Sequence, residues 1–120
     1  MIYEELTHEI LNVAFEVHNT LGCGFFEKLY ENAMLCEFKR RNIESMAQKE
    51  MKVRYKGEEV GVYFADFVIE NKVVLEIKTV DKISKIYEAQ LLNYLKASNY
   101  KVGLILNFAS TKLEYKRLIL

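Results

Sequence analysis

Proline is absent from this 120-residue chain and cysteine occurs only twice, as Cys23 and Cys36. Two thiols are too few for the disulfide framework of a small secreted scaffold, and too few for a four-cysteine zinc or iron–sulfur site. The expected state is a pair of reduced thiols in a cytoplasmic protein. An excess of one charge is also missing, since 17 basic and 17 acidic side chains cancel. The overall charge therefore gives no argument for a polyanion or a membrane surface, and any nucleic-acid site has to be local to one face. No apolar run approaches the ~20 residues of a membrane helix. The opening "MIYEELTHEI" is acidic and amphipathic, unlike a signal peptide. Repeats, low-complexity segments and linkers are absent too, and the lack of proline excludes nothing by itself.

What is present is one domain's worth of chain, residues 1–120, able to bury a single core. Leu6, Ile10, Val13 and Val17 recur at helical spacing and predict a helix over 3–20, closed by the glycines of "LGCG". A second helix is expected over 25–41, with Leu29, Ala33 and Met34 on its buried side and Asn42 as its stop. The period then changes to two. "KEMKVRYKG" sets Met51, Val53 and Tyr55 on one face and Lys52, Arg54 and Lys56 on the other, a half-buried strand. "VGVYFADFVI" and "KVVLEIKTV" are apolar on both faces, as central strands are. Asp81 is placed to cap a third helix over 82–98. "KVGLILNF" reads as a buried strand parallel to its predecessor. The tail "KLEYKRLIL" fits an edge strand or a short helix. The expected fold is α/β, an α+β mixed sheet flanked by helices, in the order α-α-β-β-β-α-β.

Three charges interrupt the apolar hairpin "ADFVIENKVVLEIKTV": Asp66, Glu76 and Lys78. With the turn centred on Asn71, paired residues sum to 142, so Asp66 is set opposite Glu76 and Lys78 shares their face. Two carboxylates ~5 Å apart repel by roughly 3 kcal/mol at an effective dielectric near ~20. Lys78 holding both acids in a structural ion cluster is one resolution. A hard divalent cation, Mg²⁺ or Mn²⁺, is the other. In the third helix Gln90 and Tyr94 lie four residues apart, on one face. In the second, Glu27 stands in the first turn, where an acid complements the helix N-terminus, and Tyr30 is on its face.

Together these residues resemble a known pattern. Asp66 followed by Glu76-Ile77-Lys78 is similar to the PD-(D/E)XK nuclease signature. Gln90 and Tyr94 resemble the QxxxY helix motif of the RecB-like branch of that superfamily. "GFFEKLY", Gly24 to Tyr30, resembles the GxxExxY signature of a family of small prokaryotic proteins. The resemblance implies a restriction-endonuclease-like αβββαβ core with an extra N-terminal helix. It implies that Asp66, Glu76 and the carbonyl of Ile77 bind the metal, with Glu27 completing the site. Lys78 would orient or activate the attacking water, while Gln90, Tyr94 and Tyr30 would brace the site or touch the nucleic-acid backbone. Ala65 stands where the signature has proline. His18, near where some RecB-like nucleases place a metal-binding histidine, reads as a capping or packing residue.

Two functions of different class follow. The first is a metal-dependent nuclease hydrolysing phosphodiester bonds, with DNA the expected substrate. The alternative is a catalytically silent nucleic-acid- or protein-binding module on the same fold, motivated by the zero net charge and small size. Lys52, Arg54 and Lys56 could meet phosphates, although lysines on an exposed strand also guard against edge pairing. A homodimer through the tail or the first helix is the third expectation.

Overall fold

The computed structural model describes residues 2–120. Its elements run α1 (Glu4–Leu21), α2 (Glu27–Arg40), β1 (Ser45–Tyr55), β2 (Glu58–Ile69), β3 (Val73–Lys78), α3 (Lys85–Ser98), β4 (Val102–Asn107) and β5 (Glu114–Ile119). The five strands form one sheet in sequence order. All neighbours are antiparallel except β3 and β4, which are parallel and joined through α3. The αβββαβ order with an additional first helix is therefore present, and the tail is an edge strand, not a helix.

Two apolar layers sandwich the sheet. On one face Ile10, Val13 and Val17 of α1 and Tyr30, Met34 and Phe38 of α2 pack on Phe67, Leu75, Ile77 and Leu104. On the other, Leu91 and Leu95 of α3 pack on Val68, Val74 and Ile105. Every residue of β4 is buried, as its unbroken apolar run requires. Gly103 lets α3 approach closely, because a Cβ there would lie 2.8 Å from Leu91.

Several boundaries differ from the sequence reading, each for a local reason. Leu29 is exposed, and the buried stripe of α2 is Tyr30, Met34 and Phe38, one residue round the helix. Tyr55 is exposed because β1 and β2 run past the layer of helices at that end, with a register shift between Val53 and Arg54. Asp81 does not cap α3, whose N-cap is Ser84. Residues 79–83 are instead held as a loop by β4 and β5: the Asn107 side chain accepts from Val80 N–H at 3.0 Å and donates to Val80 C=O at 2.8 Å. Glu114 accepts the N–H of Ile83 and a second donor from Asn107.

Candidate active site

The site forms where β2 and β3 part. Their pairing follows the expected register, Ile69 with Val73, Val68 with Val74 and Phe67 with Leu75, and stops there. The next step, Asp66 opposite Glu76, is not a ladder pair. The Asp66 carboxylate instead accepts the backbone N–H of Ile77 at 2.7 Å. The inside–outside alternation of β2 also breaks at this point. Tyr63 stacks on Tyr94 of α3, while Phe67, four residues on, meets Phe38 of α2 on the opposite face. On β1, the pairs Ala47–Phe67 and Lys49–Ala65 bracket Gln48, whose φ of 52° is rare for a non-glycine residue in a strand. The break frees Asp66 to turn along the sheet rather than into a helix layer.

The vacated edge of β3 receives a second acid. Glu27, in the first turn of α2, accepts the N–H of Thr79 at 3.3 Å. Within a strand the N–H and C=O of one residue point the same way, and residues alternate between edges. The C=O of Lys78 points to β4, where it accepts the N–H of Phe108. The C=O of Ile77 accordingly faces the opposite edge, between the amides that carry Asp66 and Glu27. Two carboxylates and one carbonyl are thus set along the edge of β3 beyond the end of its pairing with β2.

Tyr30 fixes the start of α2. It is fully buried, stacked on Phe108 at 4.5 Å, and its hydroxyl donates to Gly22 C=O at 2.6 Å and accepts from Phe25 N–H at 3.3 Å. These bonds hold the glycine loop, with Gly22 and Gly24 both at positive φ, from which Glu27 emerges. The buried ring has no exposed surface to offer a ligand.

Glu76 lies on the α3 side of β3. Together with Lys78, Tyr87, Gln90 and Tyr94 it lines a cavity of about 20 Å³, which is room for about one water molecule. Its Oε1 is buried with no hydrogen-bond partner. Burial, chiefly, pushes its carboxyl up to about 8, opposed by Lys78 and by the Asp66 backbone, with Glu31 and Glu27 adding repulsion. Asp66 is also raised, first by burial and then by Glu27, against the Ile77 bond and Lys78. The helical acid Glu27 thus adds its charge to the pressure of burial on Asp66. Lys78 is in none of the ion pairs within 4.0 Å among the described residues, which are Arg40–Glu37, Arg41–Glu37 and Lys52–Glu59. The charge of Lys78 nevertheless favours the ionised form of both Asp66 and Glu76.

Four residues at this site carry no motif signal. Glu31, one turn after Glu27, accepts from the Gln48 amide at 2.7 Å and is itself raised by burial and by Asp66. Its spacing from Glu27 was the available clue, whereas nothing local marks Gln48. Tyr63 and Tyr87 complete the α3 side, Tyr87 lying on the helical face of Gln90 and Tyr94. His18 is buried elsewhere, its Nε2 2.9 Å from Ser110 C=O and its ring against Phe108. A larger open hollow of about 520 Å³ at the start of α1, among Tyr3, Glu4, Glu9, Glu70 and Lys72, shares none of the site residues.

Among the described residues, no three His, Cys, Asp or Glu side chains are drawn together as a ready metal cage. The donor set nevertheless fits a hard divalent ion. Asp66, Glu76, Glu27 and the Ile77 carbonyl are all oxygen donors. An unpartnered buried carboxylate oxygen is what a cation would satisfy, and two of the acids are already oriented by backbone amides.

A family model described as the PD-(D/E)XK nuclease superfamily matches residues 4–118 of this sequence. No curated protein matches it. Among solved structures, the one titled "Crystal structure of SSO0001" superposes with a TM-score of 0.59 at 18% identity, covering 98% of this chain and 59% of that one. That likeness is one of fold, and the chain spans somewhat over half the length of the structure it matches. No described helix is long and apolar enough to cross a membrane.

Proposed function

The chain belongs to the PD-(D/E)XK nuclease superfamily, and we propose that it is an active, metal-dependent nuclease that hydrolyses phosphodiester bonds of DNA. The observation that carries this reading is the pair of acids seated on alternate amides of one strand edge. Asp66 sits on Ile77 and Glu27 on Thr79, beside a buried Glu76 oxygen that has no partner. Burial, and after it the charge of neighbouring acids, raises the carboxyls of both Asp66 and Glu76, a perturbation that functional sites concentrate.

In this reading Asp66, Glu76, Glu27 and the Ile77 carbonyl hold Mg²⁺ or Mn²⁺. The ion, when bound, polarises the scissile phosphate and acidifies a water. The backbone amides of Ile77 and Thr79 keep two of the acids in place before substrate arrives, so little reorganisation is left for the reaction. Lys78, bound to no carboxylate, offers its ammonium to the charge that develops on the phosphate oxygens. Gln90 and Tyr94 brace the cavity beside Glu76, Tyr63 supports Tyr94 by stacking, and Tyr30 braces the loop that aims Glu27. The GxxExxY and RecB-like assignments, a cytoplasmic setting with both thiols reduced, and a homodimer remain parts of the proposal. Cleavage of labelled DNA with Mg²⁺ or Mn²⁺ tests it. Asp66→Ala and Lys78→Ala are each expected to abolish cleavage, and undiminished cleavage by either would remove the assignment.

A further inference from the structure

The Lys78 ammonium lies 4.7 Å from the centroid of the Tyr87 ring. Among the described residues no carboxylate comes within ion-pair distance of it, although Glu76 lines the same small cavity with a buried, unpartnered oxygen. We infer that Tyr87 is a positioning residue that holds Lys78 through its ring face and so fixes where the ammonium stands in the site. The inference rests on the nuclease reading for its functional consequence, but not for its physical content.

A ring face suits this task better than a carboxylate. It attracts the cation through its quadrupole without accepting a directed hydrogen bond. The three N–H donors of the ammonium therefore stay free for a phosphate oxygen or a water. A carboxylate in the place of the ring would consume those donors and neutralise the charge. The backbone supplies the geometry. Tyr87 lies in the first turn of α3, directly after the loop that Asn107 and Glu114 clamp, and Leu91 seats the helix over Gly103. Residues 87, 90, 91 and 94 share one helical face, so Tyr87 reaches Lys78 from the same surface that brings Gln90 and Tyr94 to Glu76.

The test uses Tyr87→Phe, which keeps the ring face, and Tyr87→Leu, which removes it. Tyr87 is only partly buried, so both are expected to fold. The first readout is the NMR resonance of the Lys78 ε-methylene, assigned by its loss in Lys78→Arg. It is expected upfield through the ring current in the wild type and in Tyr87→Phe, and at the ordinary lysine position in Tyr87→Leu. The second readout is kinetic. Tyr87→Leu is expected to lower kcat on the order of tenfold with KM little changed, while Tyr87→Phe retains kcat. Pentafluorophenylalanine at position 87 keeps the shape, inverts the ring face, and is expected to behave as Tyr87→Leu in kcat. An ε-methylene resonance at the ordinary lysine position in the wild type, or unmoved by Tyr87→Leu, overturns the inference, as does a Tyr87→Phe defect equal to that of Tyr87→Leu. The NMR readout decides the contact even if no substrate is ever cleaved, so failure of the nuclease reading and failure of this inference are told apart.

Discussion

Asp66 and Ile77 are joined by a side-chain bond at the position where the β2–β3 ladder ends, the carboxylate accepting the Ile77 N–H at 2.7 Å. This one contact opens the strand edge, orients the acid and turns the Ile77 carbonyl to the same side. Asp66→Asn can still accept that N–H, whereas Asp66→Ala cannot. Asp66→Ala is therefore expected to lose about 1–3 kcal/mol through an unpaired amide, and Asp66→Asn much less. Both are expected to lose cleavage. Denaturant melts run beside activity assays check the pair; equal stability loss in the two variants contradicts the role given to this bond.

Glu76 gives the apo protein a pH dependence of definite sign. Its folded carboxyl holds a proton up to about 8, against an ordinary 4.5. Between those values the folded state binds more protons than the unfolded one, so stability falls as pH rises through that window. Glu76→Gln is expected to flatten the slope and to stabilise the metal-free protein at pH 7 by up to roughly 3 kcal/mol. Thermal melts in EDTA from pH 5 to pH 8.5 measure it, and a slope unchanged by the substitution contradicts the assignment.

Tyr30→Phe removes the donor to Gly22 and the acceptor for Phe25 while keeping the stack on Phe108. The expected cost is about 1–2 kcal/mol in stability. Cleavage is expected to fall as well, because Glu27 emerges from the loop those bonds hold. Full activity with reduced stability would show that the loop does not need the hydroxyl to aim Glu27.

Asn107→Ala leaves the N–H and C=O of Val80 without their side-chain partner and takes one donor from Glu114. Its burial makes these losses costly, about 2–3 kcal/mol. Hydrogen exchange is expected to accelerate at Val80 and Ile83 more than at β4 itself. Uniform acceleration through the sheet contradicts a local clamp.

Much of the fold was legible because it depends on periodicity. The change from a 3.6- to a 2-residue period fixed the order of elements, and the apolar run "VGLILN" announced a strand buried on both faces. The hairpin register followed from its short turn as far as Phe67–Leu75, whereas the roles proposed for the site residues come from the resemblance to the PD-(D/E)XK signature. What was hidden depends on broken regularity. The switch of faces between Tyr63 and Phe67, and the left-handed Gln48 beside it, leave no trace in composition, so Asp66 was set against Glu76 when its carboxylate is bonded to the Ile77 N–H. The start of α3 was misplaced for a related reason. Asn107 and Glu114, from strands more than 20 residues away, hold the segment that Asp81 was expected to cap.

Calorimetric titration of Mn²⁺ into metal-free wild type and Asp66→Asn, at pH 6.5 and pH 8.5, tests the central claim most directly. The account predicts one binding event in the wild type, tighter at the higher pH because the ion must displace the Glu76 proton, and its loss in Asp66→Asn. Equal binding by both proteins, or none by the wild type at either pH, would contradict it.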